Sequence, residues 1–270
     1  MLEILKKQIK DLKTKEEKIN HLREFLQILV LKIIYDLGLF KNLSFVGGTA
    51  LRILFDLRRF SEDLDFSLAN KRNFHFEDFA RDLERQLRNY TLSTEIRKQA
   101  KNTVQVLDLK FINLLFDLGL SPIREEKLFI KVEIDSNPPK GANNDISLVN
   151  KTYLFTINHY DLPSLYATKL HACFFRKYVK GRDFYDLIWY LGKKVKPNFK
   201  LLNNAISQTH PHSKMEAINE DNFSQFLKEH LLPIDFSKVK SDVARFLEDK
   251  EEVKLLDRDV ILKLVDKSIT

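Results

Sequence analysis

The sequence predicts an α+β fold, with an N-terminal half built on a small sheet and a helical C-terminal half. Two observations carry that prediction. Period-two alternation is confined to short runs before residue 160, and apolar residues at helical spacing dominate after it. A chain of 270 residues has room for two domains of ordinary size, expected here at 1–160 and 161–270. Hydrophobic residues at 44% and charged residues at 31% supply a core and leave little room for long disorder. Seven Gly and seven Pro argue against turn-rich all-β architectures, and the single cysteine, Cys173, excludes a disulfide scaffold or an all-Cys zinc site. A reducing cytoplasm is the expected location. The most apolar stretch, Phe25 to Phe40, is interrupted by Gln27, Lys32 and Asp36, and we expect no membrane span and no signal peptide.

The elements follow in order. Residues 3–38 read as one or two helices: Leu5, Ile9 and Leu12 recur at helical spacing among charges of both signs, and Gly38 offers a C-cap. Phe45-Val46 is strand-like, and Ala50, Leu51, Leu54, Phe55 and Leu57 follow at helical spacing. From Phe60 to Leu68 the chain alternates, with Leu64, Phe66 and Leu68 on one face and Ser61, Asp63, Asp65 and Ser67 on the other. A helix is expected over 75–90 and strands over 103–114, 127–135 and 152–157, with a loop at Asn137–Gly141. Beyond Asp161-Leu162-Pro163, helices are expected at 164–178, 183–191, 239–247 and 260–265.

Asp63 and Asp65 stand two apart on one strand, so their carboxylates leave the same face. Like charges that close repel unless a cation neutralises them, and Mg²⁺ suits a pair of hard carboxylates completed by water and phosphate oxygens. Upstream, Gly47-Gly48-Thr49 sits between a strand-like run and a helix. Its glycines let backbone N–H groups approach a phosphate, the helix N-terminus adds a favourable dipole, and Thr49 offers a hydroxyl. Gly-Gly-Thr, thirteen residues and Asp-x-Asp together are more specific than either motif alone.

With these residues in view, Gly47-Gly48-Thr49-Ala50-Leu51 followed by Arg59-Phe60-Ser61-Glu62-Asp63-Leu64-Asp65-Phe66 resembles the signature of the AbiEii/AbiGii toxins, nucleotidyltransferases of the DNA polymerase β-like superfamily. A second block, Lys169-Leu170-His171-Ala172 and then Lys180-Gly181-Arg182-Asp183-Phe184-Tyr185-Asp186-Leu187, is similar to that family's second motif. The resemblance covers roughly residues 45 to 190. It implies a polymerase β-like N-terminal domain with a small mixed sheet, and metal-dependent transfer of a nucleoside monophosphate from an NTP with release of pyrophosphate. Mg²⁺ or Mn²⁺ would be held by Asp63, Asp65 and a third carboxylate within Phe129–Asp135. There Lys131, Glu133 and Asp135 share a face, and the setting favours Glu133 over Asp135.

The same resemblance implies that Lys169 reaches a triphosphate as a point charge, with Arg176 on the same side of its helix. It makes Asp183 a site residue, although a helix-capping role is equally compatible, and Asp186 a structural partner. Arg59, Ser61 and Arg182 are further candidates for phosphate contact. It implies a toxin with a cognate antitoxin and an RNA acceptor, the 3′ end of tRNA. Two other readings stand beside it: a catalytically idle protein that binds RNA or a partner through the same fold, and a transferase that modifies a small molecule or a protein. The pair His210 and His212 lacks further ligands at useful spacing, and Cys173 reads as a small core residue. The formal net charge is +7; residues 161–200 hold nine basic and three acidic groups, so that stretch is expected to face phosphate or an RNA backbone.

Overall fold

The structure is a computed structural model that describes residues 1–101 and 103–268. It is an α+β protein whose chain divides into two compact units. The first comprises Met1–Phe55, Phe60–Pro138 and Ile146–His159; the second comprises Asp56–Arg59, Pro139–Asp145 and the chain from Tyr160 onward. The second unit thus includes two short segments that precede residue 160 in sequence.

The first unit opens with helices α1 (Leu2–Ile9) and α2 (Lys15–Asp36). They separate at Thr14, where a capping box forms: the Glu17 N–H donates to Thr14 Oγ1 at 3.1 Å and the Thr14 N–H donates to Glu17 Oε2 at 3.1 Å. Every residue of α2 from Phe25 to Leu31 is buried, which is why its sequence is nearly continuous in apolar residues rather than amphipathic. Gly38 ends the helix at φ 67°, a left-handed conformation.

A seven-stranded mixed sheet follows, in the order β3-β4-β5-β2-β1-β7-β6. Its strands are β1 (Leu43–Val46), β2 (Asp63–Leu68), β3 (Thr94–Lys101), β4 (Val104–Phe111), β5 (Leu128–Asp135), β6 (Asn144–Asn150) and β7 (Leu154–Tyr160). β2 lies antiparallel to β1 and parallel to β5, so the Asp-x-Asp strand is central. Leu64 and Phe66 of β2 and Ile130, Val132 and Ile134 of β5 are buried on one face, while Asp63, Asp65, Lys131 and Glu133 take the other. Helix α3 (Gly47–Phe55) packs on β1 and β2, and α4 (Phe76–Asn89) packs on β3 and α2.

The expected run 103–114 is strand only to Phe111; Asn113, at φ 58°, turns the chain into the short helix α5 (Leu114–Asp117). β3 and β6 were not expected from sequence. They are the two edges of the sheet, and their alternation is blurred because so little of each is buried.

The second unit is helical: α6 (Leu162–Phe174), α7 (Gly181–Gly192), α8 (Phe199–Thr209), α9 (Phe223–Leu231), α10 (Phe236–Val243) and α11 (Arg258–Ser268). Asp161 caps α6, accepting from the Ser164 N–H at 2.9 Å, with Pro163 in the first turn, where its missing N–H costs nothing. α6 ends at Phe174, earlier than the spacing predicts, and residues 175–180 turn into α7. α7 starts on Gly181, where a Cβ would lie 2.2 Å from the Val239 carbonyl oxygen of α10. Only glycine permits that approach. No helix among the described residues is long and apolar enough to cross a membrane.

Candidate active site

In the first unit, two strands and a helix start assemble the carboxylate site. The parallel register of β2 with β5 sets Asp63 opposite Lys131, Asp65 opposite Glu133 and Ser67 opposite Asp135. Lys131 lies 3.4 Å from Glu133. Burial would lower the Lys131 pKa, but Glu133 and then Asp63 more than offset it and hold the ammonium above its ordinary range. Asp135 lies two positions further along β5; burial pushes its carboxyl up, against a hydrogen bond from the Asn137 N–H at 2.9 Å.

Gly47 borders the same carboxylates. It sits at φ 80°, and a Cβ built there would fall 2.2 Å from Asp65 Oδ2. The turn therefore needs glycine twice over, once for its backbone and once to leave the Asp65 carboxylate its place. Gly48 is buried at the start of α3. Thr49 is fully buried, and its hydroxyl donates to the Asp63 main-chain carbonyl, so it braces the strand that carries the acids. The Ser61 carbonyl accepts from Gln27 Nε2 of α2 at 3.1 Å, which fixes the approach to β2.

These residues fit a divalent cation that arrives with phosphate oxygens. Two hard carboxylates on one strand face, beside a cradle that any Cβ would fill, match the Mg²⁺ preference for one or two carboxylates plus phosphate and water. Among the described residues no three His, Cys, Asp or Glu side chains are grouped so as to hold a metal. Glu133 is the register partner of Asp65, but Lys131 engages it.

The second block of expected site residues forms a buried charge cluster within the second unit. Arg59 is 2% exposed and forks onto Asp186, Nε to Oδ1 and Nη2 to Oδ2, both at 2.6 Å. Lys169 Nζ lies 2.7 Å from Asp183 Oδ1 and 2.8 Å from Asp186 Oδ2. Arg176 Nη1 donates to Asp183 Oδ2 at 3.1 Å. Three cations thus surround two carboxylates.

Burial opposes the charges of Arg59, Lys169 and Asp183, and their neighbours restore them. Burial would lower the Lys169 pKa, yet Asp183 and Asp186 hold it well above the ordinary lysine range. Burial would raise Asp183, yet Lys169 and then Arg176 hold it below the ordinary carboxylate value. The Arg59 guanidinium is committed to a carboxylate rather than presented to solvent. Asp183 stands in the first turn of α7 without capping the backbone, because its side chain is spent on Lys169 and Arg176. Arg182 lies over the Phe246 ring at 4.2 Å. Cys173 is buried, and its thiol donates to the Asp183 carbonyl at 3.4 Å. Sequence reasoning missed the bidentate Arg59–Asp186 pair, since nothing local links residues 127 apart.

Comparison with known proteins bears on this arrangement. Residues 29–260 match the family model described as the nucleotidyl transferase AbiEii toxin of type IV toxin–antitoxin systems. A crystal structure described as a candidate nucleotidyltransferase from Helicobacter pylori superposes with a TM-score of 0.55 at 21% identity, covering 92% of this chain and 94% of that one. JHP933 from Helicobacter pylori superposes with a TM-score of 0.52 at 20% identity, covering 92% and 91%. At these identities the two structures speak to the fold. The search of curated proteins returns no match.

Three outcomes follow from this geometry. Gly47→Ala should displace the Asp65 carboxylate and destabilise the fold by at least about 1 kcal/mol, read by urea denaturation, since the backbone is strained and the contact too close. Asp186→Ala leaves Arg59 and Lys169 buried with one acid fewer and should cost about 3–5 kcal/mol. Lys196→Ala, at the exposed Lys196–Glu220 pair, should cost less than about 1 kcal/mol in the same assay.

A fourth outcome concerns pH. The depressed Asp183 carboxyl contributes stability that is complete above its ordinary value of 3.8 and is lost as pH falls through its lower folded value. The stability gap between wild type and Asp183→Asn should therefore be flat from about pH 5 to 9 and close in stronger acid. A gap that instead widened below about pH 4 would contradict the direction of the shift.

Proposed function

The chain belongs to the AbiEii nucleotidyl transferase toxin family, and on that footing we propose that it transfers a nucleoside monophosphate from an NTP to the 3′ end of an RNA, with tRNA as the acceptor. The family is one of type IV toxin–antitoxin systems, which pairs such a toxin with a cognate antitoxin. The observation that carries the chemical reading is the Asp63/Asp65 pair on one face of β2, bordered by the Gly47 turn.

In this reading Asp63 and Asp65 hold Mg²⁺ or Mn²⁺, which when bound supplies charge neutralisation for phosphoryl transfer. Gly47 and Gly48 present backbone at the start of α3, where an anion is favoured by the helix dipole. Thr49 and Ser61 hold β2 in place through their hydrogen bonds. Glu133 keeps Lys131 close to Asp63, and this cation limits the repulsion between the acids. Lys169 and Asp183 act as the catalytic pair of the helical unit. Arg59 acts from behind, by fixing Asp186, rather than as a nucleotide contact. Arg182 and the basic residues around it offer charge to a phosphate backbone.

The test is direct. The protein is incubated with Mg²⁺, each α-labelled NTP in turn, and total RNA. Labelled RNA and pyrophosphate are expected, and Asp63→Asn, Asp65→Asn or Lys169→Met should each reduce transfer by more than about a hundredfold. Circular dichroism of the two strand variants should be unchanged, because their side chains leave the solvent face of the sheet. Absence of NTP- and metal-dependent transfer to any RNA would overturn the proposal, and label appearing only in protein would favour a protein-modifying enzyme.

A further inference from the structure

The two edges of the sheet are built differently. β3, at one edge, carries Glu95, Arg97 and Lys98, all exposed, and charged side chains of this kind block pairing with another chain. β6, at the other edge, carries Ile146 and Leu148, 69% and 62% exposed, and Leu154 of the adjacent β7 is 64% exposed. No proline lies between Asn144 and Leu154. Val149 on β6 and Phe155 and Ile157 on β7 are buried on the core side, so the exposed apolar positions face away from it. An edge strand that is uncharged from Ile146 to Asn150, with apolar side chains exposed at its middle, is a template for pairing.

The charges at the two ends of β6 say what would pair with it. The strand carries one acid, Asp145, and the residue that follows it is one base, Lys151; both are exposed. If a second β6 ran antiparallel about a two-fold axis at Leu148, Asp145 would stand opposite the partner subunit's Lys151, and the reverse contact would repeat it. Leu148 would meet its own copy, and Ile146 would lie on the diagonal from the partner subunit's Leu148. An axis one residue earlier, at Ser147, would set Asp145 against Val149 and lose both ion pairs. The strand is self-complementary in one register.

We propose that β6 is a homodimer interface, in which two copies of this chain join their sheets edge to edge, antiparallel, about Leu148. An isologous contact of this kind closes on itself, so it yields a dimer and not a fibre.

Analytical ultracentrifugation of the full chain from about 1 to 100 μM tests the proposal, since interfaces of this kind dissociate in the micromolar range when small. Wild type should sediment as a dimer at the upper end. Asp145→Lys sets Lys against Lys, and Lys151→Glu sets Glu against Asp; each should weaken the dimer about tenfold, as two cross-strand pairs change sign together. The double variant restores opposite charges at both positions and should return the affinity to near the wild-type value. Leu148→Lys places like charges on the axis and should give a monomer.

All three positions are exposed, and circular dichroism checks that each variant is folded. A wild-type monomer throughout the range overturns the proposal, including the case in which the edge instead takes a different protein. So does a dimer that is indifferent to either single variant, or one that the double variant fails to restore.

Discussion

The helical unit is organised around one fully buried carboxylate. Asp186 has no exposure, and a lone charge there would be strongly unfavourable. It is tolerated because the Arg59 fork takes both of its oxygens and Lys169 takes one of them again. Each partner is then constrained in turn. Lys169 is oriented toward Asp183, Asp183 is drawn away from capping α7, and Arg176 is brought to its second oxygen. Such a network adds little net stability compared with an apolar core of the same volume, but it fixes the position of every member. Lys169 is held accordingly: its ammonium stays charged and stays in one place.

The carboxylate site in the sheet solves the opposite problem. Asp63 and Asp65 must stay close although their like charges repel. Strand geometry provides the spacing, Thr49 and Gln27 brace the backbone on either side, and Lys131 adds a cation next to Asp63. Gly47 is the most constrained position, because the backbone angle and the carboxylate both exclude a side chain. The main chain of the site is thus held from two other elements, α2 and α3.

How far this was legible in the sequence depends on whether the cause of each feature is local. The β2 alternation, the Asp-x-Asp spacing, the Gly-Gly-Thr turn and the Asp161–Pro163 helix start all arise from neighbours in the chain. Each appears in the structure where spacing or capping chemistry puts it. The edge strands β3 and β6 did not, because a strand with one bonded neighbour and little burial has no reason to alternate. Arg59 shows the same limit in a side chain. Beside Ser61 and Asp63 it reads as a phosphate contact, and only the fold brings it to Asp186. Likewise Thr49 reads as a hydroxyl donor for a ligand, whereas the fold gives that hydroxyl to the Asp63 carbonyl.

The positive charge concentrated in residues 161–200 also changes meaning once burial is known. Lys169 is enclosed by carboxylates, and Arg176 spends one nitrogen on Asp183. What remains available to solvent in that stretch is Lys177, parts of Arg176, Lys180 and Arg182, and the lysines that follow α7, together with the exposed ring of Tyr178. The charge excess therefore has two separate uses. Its buried part neutralises Asp183 and Asp186 and sets the geometry of the helical unit, insensitive to salt because water is excluded. Its exposed part is screened by salt and is the portion that a polyanion can feel. A polyanion would be held by the second alone, so raising ionic strength should weaken its binding well before it disturbs the Lys169–Asp183 pair.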